Sequence, residues 1–478
     1  MYPNWLVQRA KLTPDRIGLS FENIEWTFKE ILEEALLQAG CLLTAGVKKE
    51  SRVAILSSSH PQLVFGIHAC LQLSAELVML NERLSESEIH YQISDADPDF
   101  VLVDSKYKDK VIGTGKPILS WDELKELRPE EVKVELEWPS DRTITIMYTS
   151  GTTGFPKGVR QTVENHTTSA TGSAFNMGVS PDDVWLCTSP IFHISGFSIL
   201  VRSLLYGMRV RLYQKFDLAP IVDELTAGEI TRMSVVAVTL ERILSELERR
   251  EEKVHPNFKT MLAGGGPIPS DYLNRAFAKG IPVLQTYGMT ETSSQAATLA
   301  PEDAIRKLGS SGKPLFLTHI RIDGAAGPNV EGEICVRGGN VTPGYVGRNE
   351  ERPAQIDGWL HTGDIGYIDE EGYLYVVDRR SDLIISGGEN IYPAEVENAL
   401  VKHPNVREAG VCGVDDTEWG QVPAAFVVLN CEVREEELMD FARTVLAGYK
   451  VPKAIKIVNE LPRNASNKLM RRRLTEYL

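Results

Sequence analysis

At 478 residues the chain has room for two or three domains, and an apolar fraction of 42% supports a large buried core. Its net charge of −15 argues against non-specific nucleic-acid binding, and the Arg471-Arg472-Arg473 run near the end reads as a solvated face. The six cysteines at 41, 70, 187, 335, 412 and 431 contain no C-x-x-C pair, so neither a zinc site nor a disulfide framework is expected, which fits a reducing cytoplasm. Met1-Tyr2-Pro3-Asn4-Trp5 lacks the apolar core of a signal peptide, and the best apolar run, 194–208, is broken by Arg202 and too short to span a bilayer.

In chain order, a helix, a hairpin-like stretch and a second helix are predicted between Trp5 and Gly46. Arg52-Val53-Ala54-Ile55-Leu56 reads as a buried strand, and a helix opens at Pro61 with His68 on its packing face. Ser85-Glu86-Ser87-Glu88 is a capping box, and Phe100-Val101-Leu102-Val103 is another strand. Thr143 to Tyr148 alternates and is β-rich, and a helix is predicted over 162–177. Strands at 184–188, 209–213, 233–236, 260–263 and 282–286 then alternate with helices at 196–206, 218–227, 239–250 and 270–279. Such alternation predicts largely parallel sheets covered on both faces, with ligands outside the carboxyl ends of the strands. From about 309 short β-rich runs dominate and suggest a β-barrel-like subdomain. After a charged segment at 378–386, a short pattern follows: helix 393–402, strands near 407–414 and 423–429, helix 434–447 and strand 455–458. The fold class is therefore α/β: a large N-terminal domain of stacked mixed and parallel sheets, and a small C-terminal α+β domain joined by a hinge.

The chain is organised around Tyr148-Thr149-Ser150-Gly151-Thr152-Thr153-Gly154-Phe155-Pro156-Lys157-Gly158-Val159. Its three glycines let backbone N–H groups approach an anion, its four Ser/Thr hydroxyls add donors, and Lys157 adds a full charge. That is the chemistry of a polyphosphate grip, though not a Walker A loop, because Phe155 and Pro156 separate Gly154 from Lys157. The string resembles the phosphate-binding motif of the adenylate-forming superfamily, which includes acyl-CoA synthetases, luciferases and adenylation domains of peptide synthetases.

Further stretches match that superfamily in order, and the resemblance implies a role for each. Pro190-Ile191-Phe192-His193 would place His193 at the border of the acyl pocket and the adenylation site. Gly264-Gly265-Gly266 would lie flat against adenine and, at Gly265, the acyl group. In Gln285-Thr286-Tyr287-Gly288-Met289-Thr290-Glu291, Tyr287 would stack on adenine, Thr290 would touch the α-phosphate and Glu291 would hold Mg²⁺. Asp364 would accept from the ribose hydroxyls, and Arg379 would contact ribose and phosphate. Ser381 aligns with the hinge, where relatives usually carry Asp or Lys, and Ser386, Gly387 and Gly388 would face the CoA tunnel. Lys468 matches the adenylation lysine; relatives usually carry Gly before it, and Asn467 here also tolerates positive φ. The implied division is 1–380, with its β-rich part from about 309, and a mobile 381–478.

The resemblance implies a two-step acid–thiol ligase using ATP, Mg²⁺ and coenzyme A, with no enzyme nucleophile; no G-x-S-x-G elbow occurs. Arg202, inside the apolar helix past His193, suits either a helix edge with its stem packed and its head in water or a substrate with a second carboxylate, and the resemblance that follows favours the second. Throughout its length, including Pro3-Asn4-Trp5-Leu6 and 461–469, the chain resembles the bacterial o-succinylbenzoate–CoA ligase family of menaquinone biosynthesis, whose acid is an aromatic dicarboxylate. Another aryl- or medium-chain acyl-CoA ligase is the alternative acid specificity, and a non-catalytic nucleotide-binding protein the alternative class. The expected partners are small molecules, with no nucleic acid and no membrane span, and the chain is expected to form a homo-oligomer.

Overall fold

The computed structural model describes residues 1–478 except 150–155, 267, 380–381, 387–388, 417–418, 447 and 465–466; of residues 378, 379, 385, 389 and 390 it describes the backbone. A large N-terminal domain is built on two sheets. In the first, Arg52–Leu56, Glu76–Leu80, Phe100–Val103, Ile118–Ser120 and Thr143–Thr149 run parallel, and Lys157–Thr162 is added antiparallel at one edge. In the second, six parallel strands (Ile17–Phe21, Val184–Cys187, Arg209–Leu212, Arg232–Val235, Thr260–Ala263 and Val283–Met289) form the centre of a nine-stranded sheet with antiparallel edges. Parallel strands buried on both faces need near-continuous apolar sequence. Val53, Ala54, Ile55 and Leu56 satisfy that, and so do Val184, Trp185, Leu186 and Cys187, all buried.

Local signals place the helices. Thr162 caps Val163–Met177 through a reciprocal box with Asn165, Ser85 caps Glu86–Ala96 with Glu88, and Pro61 opens Pro61–Gln72 at its first turn. His68 is a packing residue of that last helix, and burial lowers it to about 4. Gly207 and Gly228 end Ile194–Tyr206 and Leu218–Ala227 in the left-handed conformation. Among the described residues no helix is long and apolar enough to cross a membrane.

The β-rich stretch is a four-stranded antiparallel meander, Thr318–Ile322, Gly332–Gly338, Leu360–Ile368 and Leu374–Arg379, in sequential order. The small C-terminal domain pairs the long antiparallel strands Val406–Asp416 and Gly420–Leu429, adds Ala454–Ile457 parallel, and packs Pro393–Val401 and Glu435–Val445 against them.

One expectation is corrected. The phosphate loop was expected to run from a strand into the 162–177 helix. It instead closes a hairpin, because Lys157–Thr162 turns back and pairs with Thr143–Thr149. Val159 and Gln161 on this returning strand are fully buried, so the segment has the core position of a strand rather than of a surface loop.

Candidate active site

The hairpin register sets Lys157 opposite Thr149 and Gly158 opposite Tyr148, so the loop begins and ends at one place. Both stems are tied to the helix Glu86–Ala96: Tyr148 Oη donates to Asp95 Oδ2 at 2.8 Å, and Tyr91 Oη donates to the Pro156 carbonyl at 3.2 Å. Gly158 is required by crowding, since a Cβ there would stand 2.6 Å from Val346 Cγ2. Ser150, Gly151, Thr152, Thr153 and Gly154 lie outside the described residues. Lys157 is 8% exposed, with Nζ 5.7 Å from the Tyr345 ring centroid. Burial and Arg352 hold its pKa below the ordinary lysine value, while Glu291 acts in the opposite sense. Lys157 and Glu291 therefore share one electrostatic environment.

Glu291 arrives by a different route. The strand Val283–Met289 ends in a single turn, Thr290–Thr292, and the chain reverses into Ser294–Thr298. Gly288 permits the reversal; a Cβ would lie 1.7 Å from the Ser294 carbonyl oxygen. Ser293 at φ 51 and Ser294 at φ 103 both occupy the left-handed half of backbone space, which for side-chain-bearing residues concentrates strain at this turn. Met289 N donates to Thr292 Oγ1 at 2.9 Å, and Thr342 N donates to the Glu291 carbonyl at 2.8 Å.

Around this turn lie the residues expected to hold the nucleoside. Gly264 faces Thr286, whose Cγ2 would be 2.7 Å from a Cβ at 264. Gly265 has φ +81, and it and Gly266 are exposed backbone, open to a flat ligand. Gln285 Oε1 accepts from Gly309 N at 2.8 Å, and Thr286 Oγ1 donates to the Ala297 carbonyl at 2.9 Å. Tyr287 is buried, and its hydroxyl donates to Asp364 Oδ2 at 2.9 Å. Asp364 is in turn opposite Arg379 in the backbone register of the meander.

His193 is the residue before the helix Ile194–Tyr206, and its ring lies 4.5 Å from that of Phe192. Gly196 allows the helix to start close against this stretch, since a Cβ there would be 2.3 Å from the Pro190 carbonyl. Burial, reinforced by Arg83, lowers His193 to about 4, so its ring is neutral at physiological pH.

Arg202, further along the same helix, is 1% exposed. Its Nη2 donates to Gln295 Oε1 at 2.8 Å and to Ser294 Oγ at 3.3 Å, and its guanidinium lies 5.1 Å from the Trp185 ring centroid. Gln295 Nε2 continues to Thr298 Oγ1 at 2.7 Å and reaches Thr286 Oγ1 at 3.4 Å. The guanidinium head is thus joined to the turn that carries Thr290 and Glu291. Its Nε has no hydrogen-bond partner among the described residues, and no carboxylate among them pairs with it. Ser294 and Gln295 were not singled out in the sequence; the polar run Thr292-Ser293-Ser294-Gln295 inside otherwise buried strands is the signal that could have found them.

Lys468 sits exposed at a tight turn of the small domain. Asn464 N donates to the Lys468 carbonyl and Lys468 N donates to Asn464 Oδ1, both at 2.9 Å, while Asn467 adopts φ 63 as its identity suggested. Arg463 supports the turn, donating to the Asn467 carbonyl at 3.0 Å and to Glu408 at 2.5 Å. Ser386 is a buried residue at the end of a short strand; Ser381, Gly387 and Gly388 lie outside the described residues, as does the side chain of Arg379.

Among the described residues no three His, Cys, Asp or Glu side chains converge as a metal cage. The Glu291 carboxylate, next in sequence to the Thr290 hydroxyl, is a hard oxygen donor of the kind suited to Mg²⁺ that arrives with phosphate oxygens.

Comparison with known proteins gives matches along nearly the whole chain. Residues 6–346 match the model of the AMP-binding enzymes, and residues 395–468 match the C-terminal domain of the same enzymes. A 2-succinylbenzoate–CoA ligase of Bacillus pumilus is 47% identical over 477 residues, covering 99% of this chain and 97% of its own. Among solved structures, the o-succinylbenzoate CoA synthetase of Bacillus subtilis in complex with the acyl-adenylate OSB-AMP superposes with a TM-score of 0.93 at 45% identity, covering 99% of this chain and 98% of that one. The same enzyme with ATP and a magnesium ion also gives 0.93 at 45% identity, covering 99% of both chains.

Proposed function

The chain belongs to the AMP-binding enzyme family, and from that premise we propose that it is a 2-succinylbenzoate–CoA ligase, making o-succinylbenzoyl-CoA for menaquinone biosynthesis from the diacid, ATP and coenzyme A. The observation that carries the choice of acid is Arg202. A buried guanidinium without a carboxylate is costly to keep, and a substrate that brings its own second carboxylate removes that cost. A fatty acyl chain has no use for it.

In the first step a carboxylate oxygen of the succinyl arm attacks the α-phosphorus of ATP. A new P–O bond forms, the α–β bond breaks, and pyrophosphate leaves. Both reactants are anions, so the protein's task is to neutralise charge and hold them in line. Lys157 serves the leaving phosphates from the hairpin, and Thr290 holds the α-phosphate. Lys468 binds between the acyl carboxylate and the α-phosphate. Glu291 and Thr290 would hold Mg²⁺, which when bound screens the phosphate charge. Tyr287 fixes Asp364 for the ribose, Gly264 to Gly266 flank the adenine, and neutral His193 borders the acyl group without adding charge. Arg202 takes the ring-attached carboxylate.

In the second step the sulfur of coenzyme A attacks the acyl carbon, the C–O bond to AMP breaks, and the thiol proton passes to solvent. The small domain, beginning at about residue 381 with the hinge at Ser381, turns between steps, withdrawing Lys468 and presenting 386–388. The enzyme acts in the cytoplasm. The test is to incubate it with ATP, Mg²⁺, coenzyme A and o-succinylbenzoate beside benzoate and octanoate, and to identify the thioester by mass. A thioester of octanoate or benzoate in preference to that of the diacid would overturn the assignment.

A further inference from the structure

Gln161 is a fully buried amide in the strand that starts at Lys157, four positions past that lysine. Its Nε2 donates to the Thr290 main-chain carbonyl at 2.9 Å. Its Oε1 accepts from Thr145 Oγ1, its partner on the opposing strand. Thr145 Oγ1 in turn lies 2.9 Å from Nε2 of His166. The proton positions follow from the contacts. The Thr290 carbonyl can only accept, so the amide nitrogen must face it and the amide oxygen must face Thr145. The single Thr145 proton then goes to Gln161, which leaves His166 Nε2 as the donor to Thr145. The result is a one-directional chain: His166 to Thr145 to Gln161 to the Thr290 carbonyl. Thr145 and His166 are also buried, and burial lowers His166 to about 3, so the ring stays neutral. Its position is set by aromatic neighbours, with Trp5 edge-on at 6.2 Å and Phe197 at 5.3 Å.

The neighbouring carbonyl, that of Glu291, is held as well: Thr342 N donates to it, and Thr342 Oγ1 donates to the Arg160 carbonyl at 2.5 Å. The two consecutive carbonyls of the Thr290–Glu291 turn are therefore tied to the lysine-bearing strand, that of Thr290 directly by Gln161 and that of Glu291 through Thr342 to Arg160.

We propose that Gln161 is a positioning residue for adenylation, fixing the Thr290–Glu291 turn at a set spacing from Lys157 so that both sides of the triphosphate are gripped at once. This rests on the roles given above to Lys157, Thr290 and Glu291. Gln161 touches no substrate; its effect passes through the Thr290 carbonyl. Because Gln161 holds the Thr290 carbonyl, while Arg202 is held separately by Ser294 and Gln295, loss of the link weakens MgATP binding and the first half-reaction and leaves acid binding and the thiol step intact.

The experiment uses the full-length chain with Gln161→Met, which keeps the volume and removes the amide, and with the pair Thr145→Val and Thr145→Ser. The readouts are MgATP affinity by calorimetry, acid-dependent ATP–pyrophosphate exchange, and thioester formation from supplied acyl-adenylate and coenzyme A. Gln161→Met is expected to weaken MgATP binding and slow exchange by about 10-fold each, with KM for the acid and the thioester step within about 2-fold of wild type. Thr145→Val, which frees the amide to rotate, should show the same selective loss at smaller size, and Thr145→Ser should restore wild-type values. Wild-type MgATP affinity in Gln161→Met, or an equal loss in both half-reactions, would overturn the proposal. If Gln161→Met does not fold, Thr145→Val and Thr145→Ser decide on the same criteria. Failure of the wild-type enzyme to use the diacid would instead strike the substrate assignment, since MgATP affinity is measured without any acid.

Discussion

Two side chains concentrate the chemistry. Arg202 is fastened by Ser294 and Gln295 and faces no carboxylate among the described residues, and on the proposed reading it selects the acid by what it lacks. A charge-assisted pair with the substrate is worth ~1.5–3 kcal/mol. Arg202→Leu should therefore raise KM for the diacid about 10- to 100-fold, with KM for ATP unchanged in the same steady-state assay; an unaltered diacid KM would remove the assignment. Lys468 tests the other half of the charge problem. Its turn is held by bonds of Asn464, Asn467 and Arg463 that Lys468→Ala leaves in place, so the variant should fold. It should slow acyl-adenylate formation by on the order of 10²–10³-fold, the size seen for a donor aimed at developing charge. Single-turnover formation of acyl-AMP measures this directly, and thioester formation from supplied acyl-adenylate should continue.

At the scale of elements, the alternating strands and helices and their caps were legible because each is a local pattern: buried apolar runs, Ser85 with Glu88, Pro61 at a first turn. The returning strand Lys157–Thr162 was not. Its neighbour is chosen by distant pairing, and its polar residues look like loop composition until Gln161 is seen bonded inside the core. The same holds for the site. Motif residues could be placed by resemblance, but the groups that hold them, Gln161, Thr342 and Asp95, carry no local signal because their partners are far along the chain. Behind the second sheet, at the amino ends of its strands, Asp183 joins three of them by accepting from Arg232, Lys259 and Thr231. Burial opposes ionisation of Asp183, yet these donors outweigh it and its pKa falls below the usual carboxylate value. A depressed folded-state pKa means that stability is present above the unfolded value, near 4, and is lost as pH falls through the folded value. Asp183→Asn leaves Arg232 buried without its anion and should cost about 3–5 kcal/mol at neutral pH. It should also flatten the acid limb of the stability curve below about pH 4, as urea melts at several pH values would report.

The whole molecule is two bodies with a purposeful contact. Tyr272 of the large domain donates from its hydroxyl to the Arg407 carbonyl of the small one at 3.3 Å, and Tyr392 donates to Glu331 at 2.6 Å. This arrangement superposes on the relative's ATP and acyl-adenylate complexes, and on the proposed reading it serves the first step. Fixing it should separate the two half-reactions. Five of the six cysteines are buried and only Cys431 is exposed, so a Cys431→Ser background accepts introduced labels cleanly. With Tyr272→Cys and Arg407→Cys joined by a reductant-cleavable bismaleimide, acyl-AMP should still form while thioester production stops, and should resume on reduction. Continued thioester production by the bridged enzyme would show that no rotation is needed.

The buried guanidinium of Arg202 has one more consequence on the proposed reading. A protein that harbours an uncompensated ion is least secure when vacant, so its melting temperature becomes an assay for whatever cancels that ion. Aromatic dicarboxylates should lift the thermal transition without any nucleotide, and their mono-acid counterparts should leave it in place. Arg202→Leu should invert the ranking: sturdier than the parent when vacant, and indifferent to the diacid.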